Sequence, residues 1–382
     1  MDFTLSDEQQ MIRDMCREFA EEEIKPRAEE LDRTGEFPID LVRKMGELGL
    51  LGLPFPEEYG GAGADFLAYC IALEEIGRGD AAIAITMEAH TSLGATPFYL
   101  FGTDEQKQRY LVPLARGERL WAFGLTEPGA GSDSAGTQTR AELRAGRWHI
   151  NGAKAFITNA GTAMTGGVTI TAVTGTQPDG HSEITNLIVP RDTPGYVIGN
   201  AYHKMGWRAS DTRPLSFEDC QVPEENILGK RGDGFSQFMR ILDAGRVAIA
   251  SMSVGLAQAC LDESLKYAHE RQQFGQPIAR FQAIQFKLAD MATEVELARL
   301  MYYKAAWLHV HERPYTREAS MAKLFASETA KRCADQAVQI HGGYGFMDEY
   351  PVSRYWRNVK VHEIGEGTSE VQRLIIAKQL ER

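Results

Sequence analysis

The sequence lacks the local motifs that mark the common nucleotide, zinc and hydrolase sites. It contains no GxGxxG or GxxxxGK[ST] loop, because Gly129 and Gly131 are followed by Ser134 where a third glycine would stand. HExxH and GxSxG are absent as well. A Rossmann-type dinucleotide site needs a glycine fingerprint between a strand and a helix. The usual Rossmann, kinase, zinc-hydrolase and serine-hydrolase interpretations are therefore excluded.

Closely spaced metal ligands are also lacking. His309 and His311 stand two residues apart near a predicted helix end, which points their side chains to different faces. The five cysteines are scattered, without CxxC or another spacing typical of metal sites: Cys16, Cys70, Cys220, Cys260 and Cys333. We expect reduced cysteines and no metal site.

Positive charge and long apolar runs are scarce too. The formal net charge is −12, which disfavours nucleic acid and anionic membranes as partners. No stretch approaches the ~18 consecutive apolar residues of a membrane span. The start MDFTLSDEQQ has neither the basic nor the apolar region of a signal peptide. These absences favour a soluble, cytoplasmic protein.

The apolar content is sufficient for a large core. The 382 residues are 43% hydrophobic, and at roughly 150 residues per domain the length suggests two or three domains. Residues 1–118 have helical periodicity. Ser6 and Gln9 form a potential capping box, and one apolar stripe follows it: Ile12, Met15, Cys16 and Phe19.

The periodicity changes to two between residues 119 and 230. In VTITAVT (168–174) apolar residues alternate with threonines, and PLSFEDC (214–220) is similar, so we expect antiparallel strands. Helical spacing returns in residues 231–382, where one face carries Ile284, Leu288, Met291 and Val295. The predicted fold class is α+β, with an N-terminal helical domain (1–118), a middle β-domain (119–230) and a C-terminal helical domain (231–382).

Glu366 stands between two glycines directly before a predicted helix start. Thr368 is a suitable N-cap, and Val371, Leu374 and Ile375 follow at helical spacing. A carboxylate at this position can simply complement the helix dipole. The spacing alone does not decide whether Glu366 has a chemical role.

Two turn-rich segments offer hydrogen-bond donors and an aromatic ring. They are WAFGLTEPGAGSDSAGTQT (121–139) and NGAKAFITNA (151–160). Threonines, a serine and open backbone suit a flat polar ring, on which Phe156 could stack. An ordinary turn-rich edge of a β-domain has the same composition, so both interpretations stay open at this point.

Five segments together resemble the acyl-CoA dehydrogenase family of flavoenzymes. They are GLTEPGAGSD (124–133), FITN (156–159), ERQQFGQPIARFQAIQFKLADM (270–291), QIHGGYGF (339–346) and EGTSEVQR (366–373). The resemblance covers nearly the whole chain in the family's order. It implies that family's fold with a C-terminal four-helix bundle, FAD as cofactor, a homotetramer, and transfer of electrons to electron-transfer flavoprotein.

The resemblance also implies which residues hold FAD, partly across a subunit boundary. Positions that border the flavin ring match Phe123, Leu125, Thr126, Ser132, Phe156, Ile157 and Thr158, with Ser132 near the substrate as well. Positions that hold the pyrophosphate and adenosine half match Arg271, Phe274, Gln282, Gln339, Gly342 and Gly343. A turn in contact with the flavin matches Thr368 and Glu370. Taken alone, Arg271 could be a solvated surface charge.

In the same way, Glu366 matches the family's catalytic base. That base removes the α-proton of an acyl-CoA thioester while the β-hydrogen leaves as hydride to flavin N5, which gives a trans-2-enoyl-CoA. Some members carry the base on another helix, where this chain has Gly245. We expect burial with bound substrate to raise the pKa of Glu366 despite the helix dipole.

Substrate contacts are implied with less detail. Asp243 and Tyr267 match positions near the CoA portion, and Arg246 either supports catalysis or pairs with a neighbouring acid. Many straight-chain relatives have tyrosine where this chain has Gly365, so a short or branched acyl group is expected. Glu88 and His90 could face the acyl tail or lie at the surface.

Two other classes of function stay open. The same fold could pass electrons to oxygen, as in an acyl-CoA oxidase or a monooxygenase-like relative. It could also persist as a non-catalytic binding protein. The base within EGTSE favours dehydrogenation over both.

Overall fold

The computed structural model describes residues 4–381, in which a helical region, a β-sheet and a second helical region follow in order. The first strand begins at Leu120, and the long helix after the sheet begins at Gly234. The predicted α+β class is therefore confirmed. The boundaries at 118/119 and 230/231 fall in the connections before these two elements, and as domain limits they stay predictions.

The N-terminal region packs short helices around two buried ones. The predicted capping box is present at its start, where Ser6 Oγ accepts from Gln9 N (3.2 Å) and Gln9 Oε1 accepts from Ser6 N (3.0 Å). Cys16 and Phe19 of the predicted stripe are buried. The helices are α1 (Asp7–Phe19), α2 (Ala28–Thr34), α3 (Ile39–Glu47), α4 (Phe66–Gly79), α5 (Ala81–Glu88), α6 (Thr96–Phe101), α7 (Asp104–Gln106) and α8 (Val112–Ala115).

Helices α4 and α5 form the inside of this region. Asp80 separates them and caps α5, because its Oδ1 accepts from Ala82 N at 2.7 Å. After Glu88 the helix widens into a π-helical turn, Ala89–Ala95, before α6 begins. Such wide turns are frequent at functional sites. Here the turn keeps Glu88, His90 and Ser92 inside the molecule.

The middle region is a single eight-stranded sheet with the order β6-β7-β3-β2-β4-β5-β8, and β1 lies beside β4. Most pairs are antiparallel, as expected, whereas β1–β4 and the short contact β2–β4 are parallel and were not predicted. Alternation within one strand does not encode the direction of a partner far along the chain. The strands are β1 (Leu120–Gly124), β2 (Arg140–Arg144), β3 (Arg147–Thr158), β4 (Thr165–Thr176), β5 (Ser182–Pro190), β6 (Tyr196–Ile198), β7 (Thr212–Pro223) and β8 (Ile227–Leu228).

Strand β4 is buried on both faces. Val168, Ile170 and Ala172 are buried, and so are the alternating Thr169 and Thr171. Both hydroxyl groups have partners, because Trp121 Nε1 donates to Thr169 Oγ1 (3.0 Å) and Lys154 Nζ donates to Thr171 Oγ1 (3.1 Å). The polar face of this strand is therefore an internal surface with satisfied hydrogen bonds.

Five helices and one small hairpin form the C-terminal region. On α10 the predicted face is buried at Leu288, Met291 and Val295. Helix α9 packs against α4. A Cβ on Gly255 would lie 2.9 Å from the backbone nitrogen of Arg78, so this glycine permits the close approach of the two helices. The elements are α9 (Gly234–Glu270), β9 (Gln272–Gln273), β10 (Gln276–Pro277), α10 (Gln282–Val310), α11 (Thr316–His341), α12 (Pro351–Val359) and α13 (Ser369–Leu380).

Helix α9 is the one candidate for a membrane span by length and composition within residues 4–381. However, 89% of its most apolar window is buried inside the fold. Core helices of globular proteins meet the same criterion, so α9 is explained by its place in the core.

Candidate active site

Glu366 lies in a strained turn between α12 and α13. Its φ angle is +53°, in the left-handed region that a residue with a side chain rarely adopts. Two buried side chains fix the turn: Gln372 Nε2 donates to the carbonyl oxygens of Glu366 (3.2 Å) and Gly367 (2.9 Å), and Lys323 Nζ donates to the latter at 2.7 Å. Thr368 Oγ1 accepts from Val371 N (3.3 Å), so it is the N-cap of α13 as predicted. Strain of this kind persists only where several contacts determine the conformation.

The carboxyl group of Glu366 points inward. The residue as a whole is partly exposed, but both carboxyl oxygens are buried, and neither has a hydrogen-bond partner among residues 4–381. Gly245 on α9 faces them, and a Cβ there would lie 3.0 Å from Glu366 Cδ and closer to Oε2. The glycine at 245 therefore makes room for the carboxyl group.

Burial controls the acidity of this group. Desolvation raises the pKa of Glu366 to about 7, although Glu88, Arg246 and Lys323 each act to lower it. The direction expected for the substrate-bound state, a raised pKa, is the same and stays a prediction. A pKa near neutrality suits a carboxylate that must take up a proton at physiological pH.

Arg246 lies beside this site in an ion pair. Its Nη1 is 2.6 Å from Asp243 Oδ1, and Asp243 Oδ2 accepts from Thr316 Oγ1 at 2.6 Å. Of the two roles left open for Arg246, pairing with a neighbouring acid is therefore observed. Its Nε is buried and has no partner in the described part of the chain, so one donor is not used by the ion pair.

Glu88 and His90 are both fully buried, which rules out a surface position for either. The Nε2–H of His90 donates to the Leu114 carbonyl oxygen at 3.1 Å, and burial lowers its pKa to about 4, so the ring is neutral. The side chain of Glu88 instead meets that of Glu366. Beside them, the hydroxyl groups of Tyr69 and Ser92 are hydrogen bonded at 3.1 Å.

The two segments expected to border the flavin are joined directly. Ala155 N donates to the Thr126 carbonyl oxygen at 2.8 Å, which ties the loop after β1 to the end of β3. Phe123 is buried and stacks on Phe238 with ring centroids 5.0 Å apart. Leu125, Thr126 and Thr158 are half-buried, Ile157 is buried, and Ser132 is exposed.

A buried ion pair between Lys154 and Glu127 holds the loop after β1 against β3. Lys154 Nζ donates to Glu127 Oε1 (2.7 Å) and to the Leu125 carbonyl oxygen (3.2 Å). Glu127 also accepts from the backbone N–H groups of Gln138 (2.7 Å) and Thr139 (3.0 Å). The loop at 124–133 is thereby anchored to β3 and to the segment before β2.

The chemistry of this junction fits a flavin ring. Phe156 is 64% exposed and has a φ angle of +61°, so an apolar ring is held outward at the end of a strand. Two threonines, Thr126 and Thr158, flank it with hydroxyl and backbone groups. An exposed aromatic face beside hydrogen-bond donors is the combination that a flat, polar heterocycle requires.

Three of the six residues expected at the far half of the cofactor line a separate groove. It has a volume of about 560 Å³ and is lined by Arg271, Tyr267, Gly342 and Gly343, among others. The Arg271 guanidinium lies over the Tyr344 ring at 5.2 Å and forms no ion pair with any described residue. An uncommitted guanidinium fits a phosphate ligand.

The remaining members of that set lie at the surface near the same end of the molecule. Phe274 is 93% exposed at a φ angle of +52°, and Gln282 and Gln339 are exposed. Tyr267 belongs to this group and is far from Asp243, because 24 helical residues span about 36 Å. Within one chain, Tyr267 and Arg271 are therefore apart from Glu366, Asp243, Arg246 and Gly365.

Two residues beside Glu366, Lys323 and Glu88, were not assigned a role from the sequence. Lys323 was not considered, although it is fully buried, holds the Glu366 turn, and has its pKa lowered by burial to about 8. A lysine on the alanine-rich face of ASMAKLFASETA (319–330) was the available signal. The contact of Glu88 with Glu366 had no local signal, since the two residues are distant in sequence.

Clusters of metal ligands do not occur within residues 4–381: no group of three His, Cys, Asp or Glu side chains is placed to hold an ion. The five cysteines are buried and free of disulfides.

Family models for acyl-CoA dehydrogenases match three consecutive parts of the chain. The N-terminal domain model matches residues 6–118, the middle domain model matches 122–220, and the C-terminal domain model matches 232–381. Among curated proteins, the chain is 57% identical over 380 residues to "Probable acyl-CoA dehydrogenase YngJ" of Bacillus subtilis, with 100% of both chains covered.

Solved structures of this family have the same fold. Butyryl-CoA dehydrogenase from Megasphaera elsdenii has a TM-score of 0.97 at 42% identity, with 100% of both chains covered. A chain from a structure described as the electron transferring flavoprotein of Acidaminococcus fermentans has a TM-score of 0.97 at 46% identity and the same coverage. An acyl-CoA dehydrogenase complexed with FAD from Bacillus anthracis has a TM-score of 0.93 at 39% identity, covering 99% of this chain and 67% of that one.

Proposed function

Because the chain belongs to the acyl-CoA dehydrogenase family of FAD-dependent oxidoreductases, we propose that it dehydrogenates a short or branched acyl-CoA with Glu366 as the base. The product is the trans-2-enoyl-CoA. The observation that carries this proposal is the buried, unpartnered carboxyl group of Glu366, held in a strained turn with a pKa of about 7.

Glu366 performs the proton transfer. Its carboxylate takes the α-proton, and the raised pKa makes it a stronger base than an exposed glutamate. Arg246 and Lys323 supply positive charge nearby, which keeps part of the population ionised before reaction. Because the turn is fixed by Gln372 and Lys323, the base needs little reorganisation to reach the substrate.

The thioester oxygen needs donors as negative charge develops on it. The backbone N–H of Glu366 makes no hydrogen bond within the described residues, so it is available for this oxygen. The family resemblance implies this donor together with a ribityl hydroxyl group of the cofactor. Donors aimed at developing charge are the main source of stabilisation in such reactions.

FAD is the cofactor, and when bound it supplies the acceptor for the β-hydrogen, which leaves the substrate with the C–H electron pair. We assign its ring to Phe123, Leu125, Thr126, Ser132, Phe156, Ile157 and Thr158, and the turn in contact with it to Thr368 and Glu370. Its pyrophosphate and adenosine are assigned to Arg271, Phe274, Gln282, Gln339, Gly342 and Gly343 of a neighbouring subunit. The exposed Phe156 ring and the uncommitted Arg271 guanidinium support this assignment.

A homotetramer with electron-transfer flavoprotein as electron acceptor completes the proposal. The C-terminal region exposes several large apolar side chains, among them Phe274, Phe286, Phe346 and Leu374. Apolar surface of this kind is typical of subunit interfaces. The similarity to a chain from a structure described as an electron transferring flavoprotein supports the acceptor.

The short or branched substrate class rests on Gly365. A Cβ at this position would meet only the Val361 carbonyl oxygen, at 3.5 Å, so the space beside the base is open. Gly365→Tyr should fill that space and shift kcat/KM toward straight chains by about tenfold, the effect of small volume changes in an apolar pocket. An unchanged ranking of butyryl-CoA and isovaleryl-CoA would contradict the open pocket.

The reaction is tested by anaerobic titration of the yellow holoenzyme with straight, branched and dicarboxylic acyl-CoAs. Bleaching of the flavin band by one class supports dehydrogenation and identifies the acyl group. Glu366→Gln should retain the flavin spectrum and lose about 10²–10⁴-fold in turnover. Glu363→Gln, in the same turn but paired with Lys360 at 2.6 Å, is the matched control.

Three outcomes would overturn parts of this proposal. Near-normal turnover of Glu366→Gln would place the base elsewhere. Rapid release of hydrogen peroxide in air would favour an oxidase. A protein that binds FAD but is bleached by no acyl-CoA would favour the binding-protein alternative.

A further inference from the structure

Glu88 is a second buried carboxyl group at the site, and the proposed reaction does not use it. It ends α5, where the helix widens into the π-helical turn. The residue is fully buried, and neither of its oxygens is paired with a cationic side chain or a backbone N–H group within residues 4–381; the Ser92 hydroxyl group is its one polar neighbour besides Glu366 in the electrostatics of this part of the chain. A buried, unpaired carboxyl group destabilises the fold, so its position in contact with Glu366 requires an explanation.

The neighbouring cations do not satisfy this pair of carboxyl groups. In the described chain Arg246 Nη1 donates to Asp243, and Lys323 Nζ donates to the Gly367 carbonyl oxygen. The titratable and charged groups that face Glu88 and Glu366 come from α4, α9, α11 and the loop before α11. Tyr69, Cys70, Arg246 and Lys323 act on the two carboxyl groups directly, and Asp243 and Tyr315 act on Arg246.

Two carboxylates in contact inside a protein cannot both be ionised, because their repulsion is not screened by water. One proton between them removes the repulsion and converts the contact into a charge-assisted hydrogen bond. We propose that Glu88 is a positioning residue that keeps this proton and donates it, as a hydrogen bond, to the Glu366 carboxylate.

The surrounding charges decide which carboxyl group keeps the proton. Arg246 and Lys323 act on Glu366 and favour its ionised form. For Glu88, burial and then the charge of Glu366 raise the pKa well above its usual value. The neutral acid is therefore Glu88, and the base is Glu366.

This inference rests on the proposed function, since it describes how the proposed base is oriented and tuned. A hydrogen bond from Glu88 stabilises the Glu366 carboxylate and lowers its pKa relative to burial alone. It also directs the remaining lone pairs of Glu366. Above neutrality the loss of the Glu88 proton would place two negative charges side by side and reduce activity.

The experiment measures kcat/KM against pH, with butyryl-CoA as the probe and ferrocenium as the electron acceptor. The wild-type profile should rise as Glu366 ionises and fall as Glu88 ionises. Glu88→Gln keeps a donor and cannot ionise, so it should retain activity near pH 7 within about threefold and lose the falling limb. A falling limb unchanged in Glu88→Gln would overturn the proposal.

Glu88→Met supplies an independent test through the sign of a shift. Without a donor, the rising limb should move to higher pH, and activity on the acid side of that limb should fall by up to about tenfold, the factor for one pKa unit. If Glu88 were ionised in the wild type, its removal would instead move the rising limb to lower pH. That shift would overturn the proposal.

Two controls separate this inference from the proposed function. Glu74→Gln changes a buried carboxyl group on α4 that is paired with Arg299 at 2.8 Å, and both limbs should keep their midpoints. The flavin spectrum of each variant confirms an intact holoenzyme. If Glu366→Gln were active, the proposed function would fail; if it were inactive and Glu88→Gln kept both limbs, only the role of Glu88 would fail.

Discussion

Glu127 and Glu366 are both buried carboxyl groups near a buried lysine, but only Glu127 has its oxygens satisfied. Glu127 accepts from the Lys154 ammonium group and two backbone N–H groups. Burial alone would raise the pKa of Glu127, yet these donors hold it below its usual value. Glu366 accepts from neither a cationic side chain nor a backbone N–H group among the described residues, and its pKa rises to about 7.

The contrast separates a structural charge from a reactive one. A carboxylate surrounded by fixed donors is held ionised and cannot usefully exchange a proton. A buried carboxyl group without cationic or backbone donors keeps its proton affinity, which is the property that a base requires. The lysines differ in the same way, since Lys154 pairs with its carboxylate whereas Lys323 donates to a backbone carbonyl oxygen.

Breaking the ion pair between Lys154 and Glu127 should have the largest effect, and the quantity affected is the stability of the fold. Lys154→Met leaves Glu127 buried without its cation, and loss of one partner of a buried pair costs about 3–5 kcal/mol. The free energy of unfolding, measured in denaturant, should fall by this amount. The double variant Lys154→Met/Glu127→Gln should recover part of the loss, and no recovery would contradict the pairing.

The second prediction concerns how the free energy of unfolding depends on pH through Glu366. Above its ordinary pKa of 4.5 the Glu366 carboxyl group ionises in the unfolded chain, whereas in the folded chain it stays protonated up to about pH 7. Stability therefore falls with rising pH across this window, by roughly 1.4 kcal/mol per unit at most. Glu366→Gln removes this penalty.

The measurement is the melting temperature of wild-type and Glu366→Gln holoenzyme at pH 5 and pH 7.5. The variant should gain relative to the wild type at the higher pH. Glu363→Gln controls for the substitution itself. An advantage that is the same at both pH values would mean that Glu366 is ionised in the folded protein throughout this range.

Filling the space beside the Glu366 carboxyl group should have the smallest effect. Gly245→Ala places a methyl group against the Glu366 carboxyl group, and a displacement of this order lowers turnover about 10²-fold. The same change favours an α-helix by about 1 kcal/mol, so stability should not fall with activity. Wild-type turnover in this variant would show that the carboxyl group works from another position.

Local chemistry predicted much of this molecule. The Ser6–Gln9 capping box and the buried face of α10 follow from spacing rules that act within one helix. Thr368 was recognised as an N-cap for the same reason. Glu366 and the segments proposed to bind the flavin were selected by resemblance, because their motifs are long and continuous.

What the sequence did not predict depends on contacts between distant segments. The parallel pairing of β1 with β4 joins strands that are separated by a hairpin. The approach of Glu88 and Lys323 to Glu366 brings together three separate parts of the chain. Neither alternation nor helical periodicity contains such information, so only the three-dimensional structure could provide it.

Helix α9 also fixes the distance between two parts of the proposed site. Its 37 residues span about 55 Å, with Gly245 about a third of the way along the helix and Arg271 directly after its C-terminal end. Inserting one residue between them would rotate Arg271 by about 100° and move it about 1.5 Å. The exposed turn at 178–181 can change length during evolution without such a consequence, whereas α9 carries a spacing that no single insertion or deletion preserves.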